Sequence, residues 1–244
     1  MQFRNTSRIK RLVLLCILPS FLLLSCKSKS PYQTENLHGI IFNFDNEPVD
    51  NVKIELYEKK PDASETEAQG TVEPFSIFEV YTDIHGQFNL GELKKNCEYE
   101  LILTKELYEK KTFSFTYTDP TQILYIQLYS AEQYLQLAEQ EIKKNNMQKA
   151  IIYLETAKSA GANIVISEYL HAVIFFKQGD YQKAISILEQ LIYKGSTESY
   201  IYLFLADMYQ YKIGDLDKAK LYLKRYLENM YDPSVSERLQ ALPQ

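Results

Sequence analysis

The sequence predicts a multidomain β + α chain: an antiparallel seven-strand β-sandwich followed by an α-solenoid of three helix-turn-helix repeats. Three observations carry this. From residue 37 to 129, apolar and polar residues alternate, as where Val52, Ile54 and Leu56 interleave with Lys53, Glu55 and Tyr57, the two-residue period of a half-buried strand. From Ser130 onward the period lengthens to about 3.6, and alanines return at a fixed interval. The first residues show neither period and read as a targeting segment. The expected organisation is a signal peptide over 1–25, a flexible tether over 26–36, the sandwich over 37–129 and the helical domain with a C-terminal cap over 130–244.

The targeting segment opens with Arg4, Arg8, Lys10 and Arg11 and continues with an apolar run from Leu12 to Leu24. That run is shorter than the roughly 20 residues a membrane-spanning helix needs, and Pro19 interrupts it, so export is the expected role. Leu23-Leu24-Ser25-Cys26 resembles the bacterial lipobox, although Leu24 is larger than the residue usual there. The resemblance implies cleavage before Cys26 and attachment of diacylglycerol to its thiol, often with a further acyl chain on the new amine. Two or three chains anchor a protein stably where one alone holds only marginally. Lys27 is not the aspartate associated with inner-membrane retention in enteric lipoproteins, so a lipid anchor in the cell envelope is expected, in the outer membrane where two membranes exist.

Removing the signal takes four basic and no acidic residues, leaving 27 − 4 = 23 Lys and Arg against 32 Asp and Glu, a net charge of −9. Nucleic acid is therefore not an expected partner. Cys16 leaves with the signal and Cys26 would be alkylated, so Cys97 remains alone and no intramolecular disulfide is expected. Cys97 reads as a small buried or turn residue, since Glu98 does not favour a reactive thiolate.

In the β-rich half, Phe113, Phe115 and Tyr117 repeat the strand alternation, as do Leu124, Ile126 and Leu128. Further strands are expected at Ile40 to Phe44, Phe75 to Tyr81, Phe88 to Leu90 and Tyr99 to Leu103, separated by turn formers such as Asp45-Asn46-Glu47-Pro48 and His85-Gly86. The polar stretch from Lys59 to Pro74 reads as an exposed insertion. Gly39-Ile40-Ile41, the run Asp45 to Ile54, Thr82-Asp83-Ile84-His85-Gly86-Gln87-Phe88 and Tyr99-Glu100-Leu101 together resemble the carboxypeptidase regulatory-like domain. That resemblance implies a prealbumin-like β-sandwich. The sequence departs from the family at Asn96-Cys97, where a turn glycine is usual, and at Leu107-Tyr108, where a glycine precedes the aromatic. Asp45, Asp50 and Asp83 are the oxygen ligands a Ca²⁺ site would use, but they read as solvated turn acids, and His85 has no partner at metal spacing. No metal and no cofactor are expected.

The helical half starts at Ser130-Ala131-Glu132-Gln133, a capping-box pattern, with no Gly- or Pro-rich linker before it, so the two halves are expected to meet at a fixed angle. Ala138, Ala172 and Ala206 stand 34 apart, as do Ala150 and Ala184, with Ala219 one residue late. This period of paired helices is the tetratricopeptide spacing, and small residues serve there because the two helices of each repeat approach closely. The second repeat resembles the family best, through Tyr169, Ala172, Phe175, Gly179-Asp180-Tyr181 and Ala184. In the third, Gly214-Asp215-Leu216 follows one extra residue near Ile213. In the first, Asn145-Asn146-Met147 replaces the Gly-Asp turn.

No Ser-His-Asp, Cys-His or HExxH arrangement is present, His171 reads as a packing residue, and a non-enzymatic protein is expected. The expected function is a lipid-anchored scaffold whose repeats bind an envelope protein or peptide. The alternatives are glycan or peptidoglycan binding by the sandwich through Tyr57, Tyr81 and Tyr125, and an accessory subunit of an envelope enzyme or transport assembly. The tetratricopeptide resemblance implies a concave site on the first helix of each repeat. Carried over by register, it comprises Tyr169, Val173, Phe176, Lys177, Tyr200, Leu203 and Tyr211, with Leu135, Glu139 and Asp207 beside them. Its apolar, aromatic character points to an apolar helix or strand as ligand rather than an acidic C-terminal tail.

Overall fold

A computed structural model describes residues 36–59, 77–119 and 121–243. The signal segment, the lipobox with Cys26, the tether and residues 60–74 of the expected insertion lie outside them. Among the described residues, seven strands precede seven α-helices. The strands are β1 Asn36–Phe42, β2 Lys53–Glu58, β3 Phe78–Tyr81, β4 Gln87–Glu92, β5 Cys97–Thr104, β6 Lys111–Tyr117 and β7 Ile123–Gln127.

They form a three-stranded sheet in the order β4-β1-β7 and a four-stranded sheet in the order β3-β2-β5-β6. Alternate residues of both sheets meet in one core. Leu37, Ile41, Leu90 and Ile126 of the first are buried together with Ile54, Leu56, Leu101 and Tyr117 of the second. One expectation is corrected here, because the strands are not all antiparallel. β1 and β7 run the same way, pairing His38 with Ile123 through to Phe42 with Gln127. Alternation determines which face of a strand is buried and carries no information on the direction of its neighbour. The remaining pairs are antiparallel.

Thr82 to Gly86 build the turn before β4. The buried Thr82 hydroxyl accepts from Val52 N and donates to Val49 O, while Asp83 Oδ1 accepts from the His85 and Gln87 amides. Gly86 has φ +69°, and a Cβ there would lie 2.3 Å from Ile41 O. Asn96 (φ 60°) and Leu107 (φ 62°) hold the left-handed conformation that glycine usually supplies. Cys97 is partly buried against the same core.

The helices are α1 Ala131–Lys143, α2 Met147–Ser159, α3 Ile164–Lys177, α4 Tyr181–Tyr193, α5 Ser199–Met208, α6 Leu216–Asn229 and α7 Pro233–Ala241. They pack in successive pairs, and Ala138, Ala150, Ala172, Ala184, Ala206 and Ala219 are all fully buried, as close helix approach requires. Asp180 and Asp215 cap α4 and α6 by accepting from Lys183 N and Lys218 N. At the matching turn of the first pair, Asn145 takes φ 65°, the role that Gly179 and Gly214 fill in the others. The late Ala219 has a structural cause: Tyr209–Ile213 form a π-helical turn, in which Gly214 N donates to Tyr209 O at 2.9 Å. One residue is absorbed without breaking the helix.

The strands pass to the helices without slack. Ser130 closes the expected capping box with Gln133, Ala131 N donates to Leu107 O at 2.7 Å, and Tyr108 bridges Ser130. Glu109, on the β5–β6 loop, accepts from Tyr134 Oη of α1 at 2.7 Å, and Lys111 Nζ lies 3.6 Å from it. Tyr129 and Tyr134 meet edge to face at 5.5 Å. Burial first, and then the Glu109 carboxylate, push the Tyr134 hydroxyl well above the usual tyrosine range.

Candidate functional site

α3 and α5 lie side by side and turn a row of aromatic side chains toward each other. The Tyr169 ring meets Tyr200 at 4.7 Å and Phe204 at 5.8 Å, and Phe176 meets Phe204 at 5.2 Å, all edge to face. Such geometry sets the positive ring edge against the negative face and fixes the rings in place. Phe176 also touches Tyr181 of α4, and Lys212 Nζ stands 5.7 Å from both ring centroids. Tyr169 and Phe176 are half-buried and pack on the core between α3 and α6, whereas Tyr200 is 37% exposed and Lys177 is exposed. Burial first, then Glu139 and Asp207, raise the Tyr169 hydroxyl.

The structure therefore divides the expected set. Tyr169, Val173, Phe176, Lys177 and Tyr200 share the α3–α5 face, and Leu135 joins it from α1 as a buried floor residue, with Glu139 exposed beside it. Leu203, Asp207 and Tyr211 instead meet the last helix, α7. Arg238 Nη1 lies 2.6 Å from Asp207 Oδ1, Arg238 Nε donates to Gln210 Oε1 at 2.8 Å, and its guanidinium lies 5.1 Å from the Tyr211 ring centroid. Leu203 packs on the cluster that contains Val235. Asp207 already has its cation within the chain. Sequence reasoning did not single out Phe204, which completes the aromatic row, nor Lys212 and Arg238. Phe204 follows Leu203 in α5, and its reach toward α3 depends on the angle between the two helices.

A second buried cluster lies behind this face. Tyr209 and Tyr222 stack at 5.7 Å and both donate to Glu189 Oε1, at 2.7 and 2.9 Å. Burial, and then Glu189, push both hydroxyls far upward. It ties the π-helical turn to α4 and α6.

The turn acids of the β-rich half have partners elsewhere in the chain: Asp50 pairs with Lys105 at 3.0 Å, and Asp45 accepts from Gln133 Nε2 of α1 at 3.4 Å. Among the described residues no group of three or more His, Cys, Asp or Glu is placed to hold a metal ion. Tyr81 and Tyr125 are 54% and 65% exposed but stand on different sheets, and Tyr57 is half-buried, so the three do not form one platform. His171 Nε2 lies 3.6 Å from Glu155 on the neighbouring helix. Among the described residues no helix is long and apolar enough to cross a membrane.

Against known families, residues 167–194, which cover most of α3 and all of α4, match the model of the tetratricopeptide repeat. This segment is a tetratricopeptide repeat. A search of curated proteins finds no match to the sequence. Similar solved structures include the N-terminal domain of stress-induced protein-1 from C. elegans, 15% identical over 45% of this chain and 91% of that chain, with a TM-score of 0.39. They also include 3-chlorocatechol 1,2-dioxygenase from Rhodococcus opacus 1CP, 14% identical over 39% of this chain and 58% of that chain, with a TM-score of 0.28. Scores this low carry no argument about architecture or activity.

Proposed function

We propose that the chain is a lipid-anchored, non-enzymatic envelope protein that binds another envelope protein through the face between α3 and α5. In this reading Cys26 carries the lipid, the two sheets form a carboxypeptidase regulatory-like sandwich, and α1 to α6 form three tetratricopeptide repeats capped by α7. The carrying observation is a tetratricopeptide repeat whose first helix presents Tyr169 and Phe176 beside the exposed Tyr200 and Lys177. Tetratricopeptide repeats generally serve protein–protein recognition, and exposed aromatic residues concentrate binding energy because they bury large areas at little entropic cost.

Tyr200 is the discriminating position, because more than a third of it is open to solvent while Tyr169 and Phe176 are built into the helical core. A Tyr200→Ala, Lys177→Glu chain loses the Tyr169–Tyr200 ring contact, which contributes about 0.5–1.5 kcal/mol, and should stay folded with a melting temperature no more than about 6 °C lower. It should lose capture of the envelope protein that the unaltered chain retains. Undiminished capture sinks the proposal. Lipid attachment is tested separately: Cys26→Ser should leave an uncleaved precursor without acyl chains, and normal cleavage of that variant would remove the anchor from the reading.

A further inference from the structure

Where the β5–β6 loop meets the helices, an open cleft of about 480 Å³ lies between Leu107 and Tyr108 on one side and Ala131, Leu135, Ala162 and Ile166 on the other. Its lining is mostly apolar, and its rim carries Glu106 and Glu132, neither of which makes an ion pair among the described residues. Leu107 is the unusual residue. A leucine at φ 62° is strained, because its Cβ crowds the following carbonyl, yet its side chain is 56% exposed and so gains little burial in exchange. The backbone is held there by the Ala131 amide bonded to Leu107 O. Glycine would take the same conformation without strain, so the leucine side chain itself is what this position provides. Ile166, also exposed at 39%, faces the same cleft from α3.

We infer that this cleft anchors one large apolar side chain of a partner segment that is flanked by Lys or Arg. The volume and lining suit a leucyl, methionyl or phenylalanyl side chain, and pockets where two structural layers join are preferred places for such anchors. The Glu106 and Glu132 carboxylates at the rim select cationic neighbours and penalise acidic ones. Since Leu135 and Ile166 belong to α1 and α3, the cleft forms the sandwich-side end of the face proposed above. The inference rests on that reading in treating the bound segment as one that continues toward Tyr200.

The test uses the full chain and three synthetic peptides of equal length in fluorescence anisotropy: one alternating Leu or Phe with Lys, one with Glu replacing each Lys, and one with Ser replacing each apolar residue. The Lys peptide should bind, the other two at least about tenfold more weakly. Leu107→Gly should keep or raise the melting temperature, because it relieves the left-handed strain, while weakening the Lys peptide by about tenfold. Glu106→Lys with Glu132→Lys should weaken it comparably and reverse the preference toward the Glu peptide. Binding lost in Tyr200→Ala but kept in Leu107→Gly overturns the cleft and leaves the α3–α5 face standing. Binding unaffected by either change overturns both, whereas failure of the Lys peptide to bind when the Glu peptide does overturns the cleft alone. Failure of all three peptides to bind overturns the anchor alone.

Discussion

Replacing Tyr134 by Phe removes a single oxygen at the place where the strands hand the chain to the helices. Tyr134 is 7% exposed, its hydroxyl donates to Glu109 Oε2 at 2.7 Å, and the Glu109 side chain is 17% exposed. A hydrogen bond to an ionised acceptor contributes about 1.5–3 kcal/mol, and this one is largely sheltered from water, so about 2 kcal/mol should be lost. If sheets and helices unfold as one body, each kcal/mol lowers the melting temperature by about 2–4 °C at this size, giving a drop of roughly 4–8 °C. Circular dichroism at a helix wavelength and near-ultraviolet tyrosine signals should move together. A double-mutant cycle with Glu109→Gln should return a coupling of at least about 1 kcal/mol. Two separate melting transitions in the unaltered chain, or a coupling near zero, would refute the claim that this contact joins the two halves into one cooperative unit.

Tyr134, Tyr209 and Tyr222 are held protonated by burial and by Glu109 or Glu189, so their folded-state values lie above the unfolded value of about 10. The sign is then that stability is fully present below about pH 10 and is lost as pH rises above it, because the unfolded chain releases those protons first. Urea titrations across the alkaline range should show this loss, and Phe at the three positions should flatten it. Gly39→Ala should cost about 3 kcal/mol or more, since its Cβ would fall 2.1 Å from Cζ of the buried Phe88 ring. Ala172→Leu should cost about 2–3 kcal/mol by forcing α3 from α4, and a melt unchanged by it would contradict the close helix approach.

The elements were legible where side chains alone decide them. Val52, Ile54 and Leu56 announce a strand because their alternation needs a buried face, and the alanine spacing announces paired helices because only small residues fit between them. The parallel pairing of β1 with β7 was hidden, since apolar alternation has no sense of direction. The extra residue before Gly214 was visible as a count, but its accommodation as a π-helical turn depends on backbone hydrogen bonds that any of several loops could have supplied. The candidate face was half legible. The 34-residue register put Tyr169, Phe176 and Tyr200 on one surface, yet it gave no sign that Arg238 would reach across from α7 to claim Asp207, because α7 lies outside that period.

The parallel pairing also decides how the protein carries load. The chain enters the first sheet at Asn36 and leaves it at Gln127, on the opposite end of the same strand pair, with α1 starting at Ala131. Tension applied between the N-terminal side and the helices therefore pulls β1 and β7 along their lengths in opposite senses. The hydrogen bonds from His38 to Phe42 are loaded in shear, all at once, and cannot be peeled one after another as they would be in an antiparallel hairpin. A chain tethered before Asn36 and gripped at α3 and α5 would thus be pulled in the direction in which its first sheet resists rupture best.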